Sequence, residues 1–180
     1  MSEPPMKVRP ANAADLERCR RLDRSLATSF VWRVDETVGA DNIGVTFRRV
    51  RAPRPLPLDY PRDIDSLYDD WRRDECVLVA YEFVTVLGFV LVTVQRGERD
   101  GWVKHLVVGR PHRRQGVATR LLESAAAWAL ANGLERVTVI LQSKNDPGIQ
   151  LLAKCGYLFR GFIDHHFANG EAGMLYSLYL

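Results

Sequence analysis

At 180 residues the chain has the length of one domain, and 47% apolar with 26% charged residues is ordinary for a globular protein. No run of about 18 apolar residues exists to span a membrane, and Met1-Ser2-Glu3-Pro4-Pro5 lacks the basic and apolar regions of a signal peptide. A net charge of +3 suits an anionic small ligand and a nucleic acid equally, and no nucleic-acid motif accompanies it.

Cys19, Cys76 and Cys155 lie far apart without metal spacing, so reduced thiols in a cytoplasmic protein are expected, with no metal. In chain order, Lys7-Val8-Arg9 reads as a first strand. A helix follows, with Asp15 near its start and Leu16, Cys19, Leu22 and Leu26 at helical spacing. Phe30 to Val50 reads as two strands around Ala40-Asp41-Asn42. Four prolines between Ala52 and Pro61 predict a stiff surface loop without regular structure. Asp63 to Arg73 has helical character, with Ile64, Leu67, Tyr68 and Trp71 on one face.

From Cys76 the pattern changes to consecutive strands at Val77–Glu82, Gly88–Val94 and Trp102–Val108. A long helix over Gly116–Asn132 stops at Gly133. The strand Val137–Leu141 follows, then a helix over 147–155 with Pro147 at its start and Gly156 closing it. Tyr157–Phe167 and Met174–Leu180 are the last two strands. The order β-α-ββ-α-βββ-α-β-α-ββ predicts an α/β fold, a mixed sheet flanked by helices, in one domain over residues 1–180.

Chemistry concentrates in Leu106-Val107-Val108-Gly109-Arg110-Pro111-His112-Arg113-Arg114-Gln115-Gly116-Val117-Ala118-Thr119. A buried strand ends, a basic loop with glycine follows, and a helix begins. A helix N-terminus offers unpaired N–H groups and partial positive charge to an anion. Gly116 lets a ligand approach the backbone, Ala118 keeps the helix start free of bulk, and Arg113 and Arg114 add charge suited to phosphate. The plainer alternative is a solvated basic turn. Neither a Walker loop nor a G-x-G-x-x-G fingerprint is present, so the run predicts a pyrophosphate cradle of another kind.

Arg113-Arg114-Gln115-Gly116-Val117-Ala118 resembles the Q/R-x-x-G-x-G/A signature of the GNAT superfamily of N-acetyltransferases. Asn145 with Leu151-Leu152-Ala153-Lys154-Cys155-Gly156-Tyr157 resembles that family's second motif at the usual separation. Phe30–Val50, the proline-rich stretch and the two C-terminal strands look like the streptothricin acetyltransferase branch, whose members inactivate an antibiotic by acetylating an amine.

The resemblance implies a mostly antiparallel sheet with a splayed parallel strand pair, and acetyl-coenzyme A as donor. Leu106, Val107 and Val108 would pair with the pantetheine arm. The segment Arg113, Arg114, Gln115, Gly116, Val117, Ala118 and Thr119 would hold the pyrophosphate, and Asn145 would support the pantetheine wall. Asn145 could equally be only a helix cap.

Leu152 stands where the family has its acid tyrosine, so the acid would be another residue such as Tyr176 or Tyr179, a water, or nothing; His105 and Glu82 are the candidate bases. Residues 30–75 would form an acceptor-side insertion, with Asp35, Glu36, Asp59, Asp63 and Asp65 available to a cationic acceptor. The acceptor implied is a small-molecule amine. Acetylation of a protein lysine or N-terminus, and a non-catalytic acyl-coenzyme A binder, are the alternatives. No nucleic-acid or membrane partner is expected, and a homodimer is the family's habit.

Overall fold

The computed structural model describes residues 6–73 and 75–180. Seven strands form one sheet, in the spatial order β1 (Lys7–Pro10), β4 (Cys76–Glu82), β5 (Thr85–Gln95), β6 (Asp100–Val108), β7 (Arg136–Gln142), β9 (Gly173–Tyr179), β8 (Leu158–Ile163). All neighbours are antiparallel except β6 and β7, which run parallel. β2 (Leu26–Val38) and β3 (Ile43–Leu58) form a separate long hairpin. The mixed sheet and the element order are those the sequence predicts.

Alternation along the strands divides the core in two. Leu78, Val90, Val103 and Val139 face α3 (Val117–Ala131) and α4 (Asp146–Lys154), which contribute Leu121, Leu122, Ile149 and Leu152. Val77, Val79, Phe89, Leu91 and Val107 face the other way. There they meet Leu16 and Cys19 of α1 (Ala13–Arg20) and Leu67 of α2 (Leu67–Arg72).

Three local expectations are corrected. The first helix stops at Arg20 instead of continuing to Leu26, because the Asp23 carboxylate accepts from the Ser25 N–H and turns the chain into β2. The second begins at Leu67, not Asp63, because Asp63 makes the same kind of turn with the Asp65 N–H. The proline-rich stretch is strand through Leu58. Pairing jumps from Phe30↔Arg51 to Thr28↔Leu56, so Pro53 and Pro55 fall in a bulge where no ladder bond is demanded of them. A two-stranded hairpin has only edge strands, which is where proline is tolerated.

The hairpin is sewn to the sheet at the start of α4. Asp146, 5% exposed, accepts from Arg49 Nε and Nη2 at 2.7 and 2.8 Å and from Trp32 Nε1 at 3.1 Å. The Trp32 N–H also donates to the Ser143 carbonyl. These bonds, with Arg49 foremost, hold the Asp146 carboxyl below the usual carboxylate range against the cost of burial. Phe47 meets Phe159 and Phe162 edge-on, at ring separations of 4.9 and 5.2 Å.

Asp146→Ala leaves Trp32 Nε1 without its partner and frees the hairpin. A loss of about 1–3 kcal/mol is expected in urea denaturation, with Arg49's partly solvated guanidinium adding little. Hydrogen exchange should rise first in β2 and β3; equal exchange in both proteins would show that the hairpin is held by other contacts.

Candidate functional site

The site begins with one extra residue. β5 and β6 pair Leu91↔His105 and then Val92↔Val103, so Lys104 is an unmatched bulge on β6. β6 and β7 pair from Asp100↔Arg136 to Val103↔Val139 and no further. Beyond the bulge the two strands part, and β6 keeps its ladder only with β5.

The opening widens into a cavity of about 600 Å³. Its slot is walled by Leu106, Val107 and Val108 on one side and Ile140, Leu141 and Gln142 on the other. One end reaches the start of α3. There Arg114 and Gly116 both have positive φ, 64° and 83°, which turns successive amides toward one concave surface. Among the described residues no protein acceptor takes the N–H groups of Arg114 to Thr119. A Cβ built on Gly116 would meet nothing within 4 Å, so that backbone faces open space. Free amides, a helix N-terminus and an apolar slot fit a diphosphate joined to a long, thin arm, the shape of coenzyme A.

The sequence-predicted residues divide clearly. Leu106, Val107, Val108, Arg113, Arg114, Gly116, Val117, Ala118, Thr119 and Asn145 line the cavity. Gln115 does not; its side chain donates back to the Pro111 carbonyl. Arg113 is engaged by the protein itself, donating to the carbonyls of Val108, Ser25 and Asp23. Asn145 caps α4, accepting from the Gly148 N–H at 3.0 Å while it borders the cavity, so the two readings of it coexist.

The four catalytic candidates are not in the cavity wall. Glu82 ends β4 at the turn into β5. Tyr176 is buried against Phe159, and Tyr179 is exposed at the end of β9. His105 points away from the slot and is 1% exposed. Its Nδ1 lies 2.7 Å from Tyr60 Oη, and its Nε2 has no partner among the described residues. Leu152, in the place of the family's tyrosine, is buried and borders the cavity. His165 and His166 follow β8 rather than lying in it, and the described residues hold no cluster of three metal-binding side chains.

Arg24, Leu26 and residues 58–62 also line the cavity. Of the carboxylates expected there, only Asp59 borders it. Asp35 is paired with Arg48 on the hairpin and Asp65 with Arg20. Cations dominate instead: Arg24, Arg62 and Lys104, the last bound to Asp70 at 2.6 Å. Burial, then Lys104 and Arg62, push His105 down to about 4, so its imidazole is neutral near pH 7.

With these features in view, similarity to known proteins is specific. Residues 47–157 match the model of the acetyltransferase (GNAT) family. A streptothricin acetyltransferase of Streptomyces lavendulae is 28% identical over 172 residues, covering 92% of this chain and 88% of that protein. One from Escherichia coli is 41% identical, but over 59 residues, which are 33% of this chain and 34% of the relative. The crystal structure of nourseothricin acetyltransferase superposes with a TM-score of 0.82 at 26% identity, covering 97% and 98% of the two chains. A Bacillus anthracis protein provisionally named a streptothricin acetyltransferase, solved in complex with acetyl-coenzyme A, shares the fold at TM-score 0.78 and 18% identity, covering 98% of this chain and all of that one.

The splayed strands and the amide-lined cradle are those of an acyl-transfer fold, and the chain belongs to the acetyltransferase (GNAT) family. It is an N-acetyltransferase by class, with acetyl-coenzyme A as the acyl donor.

His105 gives a sign to the pH dependence of stability. Its folded value lies below the ordinary value near 6.5, so the unfolded chain takes up the proton first as pH falls. Its contribution is complete above about 6.5 and is lost between there and about 4. His166, shifted down by burial and by Arg62, acts in the same direction. Between pH 7 and pH 5 urea denaturation should lose on the order of 2 kcal/mol to His105. His105→Asn should flatten that slope; an unchanged slope would mean that His105 titrates normally.

Proposed function

We propose that this chain transfers an acetyl group from acetyl-coenzyme A to the primary amine of a small molecule, with a streptothricin-like antibiotic as the first acceptor to test. The cradle at Arg114–Thr119, continuous with the slot between β6 and β7, is the observation that carries the donor half. The streptothricin and nourseothricin acetyltransferases among its relatives support the acceptor half. Leu26 and residues 58–62, which line the same cavity, are the part of the chain we assign to the acceptor.

Bound acetyl-coenzyme A supplies an activated thioester. The chain's part is to hold it and to present the amine. Free amides from Arg114 to Thr119 take the diphosphate, and the unpaired edge of β6 past Val103 offers backbone groups to the amide-bearing arm. Positioning of this kind lowers a bimolecular barrier by itself. The amine must be neutral to attack, and Arg24, Arg62 and Lys104 disfavour a cation at their end of the cavity. An ammonium arriving there gives its proton to solvent more readily, which lessens the need for a dedicated base beside it. Glu82, Tyr176 and Tyr179 are not among the residues that line the cavity, so the proposal gives them no direct role.

Thiol release from acetyl-coenzyme A against an amine panel containing streptothricin is the direct test, and turnover on at least one amine is expected. Acetyl-coenzyme A binding without turnover on any amine would favour the non-catalytic reading. No rise in melting temperature with acetyl-coenzyme A would sink both, since a ligand of the folded state must stabilise it.

Gly116→Glu places a carboxylate in the space open to the ligand and forces a side chain onto a left-handed backbone. The thermal shift should vanish. Gly116→Ala, with the same backbone strain of about 1 kcal/mol, should keep most of it. A full shift in Gly116→Glu would put the diphosphate elsewhere.

A further inference from the structure

Tyr60 joins the acceptor end of the cavity to a buried polar group that core packing does not explain. It stands two residues past Leu58, the end of β3, in a segment that lines the cavity. Its hydroxyl reaches β6 at His105, 2.7 Å from Nδ1, and the two rings stack with centroids 5.9 Å apart and 22° between planes. Lys104 and Leu106, on either side of His105 along β6, both border the cavity. Tyr60 therefore meets the strand where the slot opens. Arg24 lies over the Tyr60 ring at 5.7 Å, and Phe89 flanks His105.

An imidazole that is 1% exposed with an unpartnered Nε2 is a costly way to fill a core position. Leucine or phenylalanine would pack there without leaving a polar atom bare. What the histidine adds is a fixed hydrogen bond to Tyr60. With its lone ring proton on Nε2, a neutral imidazole accepts the Tyr60 hydroxyl hydrogen at Nδ1. The Tyr60 oxygen is then left as an acceptor only.

A neutral primary amine has two N–H donors and one lone pair, and attack requires the lone pair to stay free. A group that accepts an N–H aims the lone pair without occupying it; a donor would occupy it. Resting on the acetyltransferase reading above, we propose that the Tyr60 hydroxyl contacts and orients the acceptor amine, and that His105 is the positioning residue that fixes this hydroxyl as an acceptor. No proton leaves either residue. The amine proton released on acylation departs to solvent.

The test begins with Tyr60→Phe, which keeps the ring and removes the oxygen. On the best amine of the panel, kcat/KM should fall about 10- to 100-fold, as expected when a reacting group is misplaced. The KM for acetyl-coenzyme A and its thermal shift should stay as in wild type. His105→Leu should cause a similar loss, and the double variant should be no worse than either single one, because both remove one hydrogen bond. His105→Asn, whose carbonyl can stand where Nδ1 stood, should recover most of the rate. Activity of Tyr60→Phe within twofold of wild type, or losses that multiply in the double variant, would overturn the proposal. If His105→Leu does not fold, Tyr60→Phe and His105→Asn decide alone.

A readout without turnover separates this proposal from the activity reading. With streptothricin as probe, the ring-nitrogen resonances of His105 should move in wild type and stay still in Tyr60→Phe. No movement in wild type overturns the contact, whereas loss of all turnover with that movement intact would indict the activity reading instead.

Discussion

The parting of β6 from β7 is the constraint on which the rest of this molecule depends. Sheet hydrogen bonding is cooperative along a strand, and two parallel neighbours do not separate without cause. The cause is local and small: Lys104 is one residue too many for the ladder with β5, and the bulge turns β6 away just where its pairing with β7 stops. Edges exposed inside a protein need partners. A ligand with amide groups along a thin arm can satisfy them, so an irregularity in the ladder becomes the donor slot.

Around that slot the fold distributes its polar groups with economy. Arg113 closes the loop before α3 by donating to three carbonyls, which leaves the amides of the next residues free for a ligand. Asn145 caps α4 and borders the cavity with the same side chain. Asp146, one residue on, takes the hairpin's Arg49 and Trp32. Two successive residues after β7 thus do two things: Asn145 starts a helix and Asp146 fixes the hairpin.

The features from which a donor cradle is proposed were legible in the sequence because they are local. Arg114 to Thr119 are contiguous, and the physical features that make a cradle, glycine and a helix start, are written in consecutive letters. The long-range contacts beside the cavity were not legible, because they span distances no pattern records: Tyr60 and His105 are 45 residues apart, and Asp146 and Trp32 are 114 apart. Strand periodicity placed His105 on β6 but could not say which face a bulge would give it. Proline content suggested a loop over 52–61, because the rule that proline breaks a ladder presumes a ladder that needs the N–H, and the bulge in β3 does not. Acidic residues in 35–65 suggested a welcome for cations, but Asp35 and Asp65 are consumed by arginines of their own neighbourhood.

The hairpin's two anchorages carry a consequence for descent. The chain from Leu26 to Arg62 is held by Asp146 through Trp32 and Arg49, and the approach to it by the Arg113 clasp of Asp23 and Ser25. Both anchors lie beside helix starts, Arg113 before α3 and Asp146 at the head of α4. Exposed chain between such ties tolerates rewriting best. On the proposed reading, a lineage built this way can change the amine it accepts by altering one excursion of chain, while the part that handles the thioester is inherited untouched.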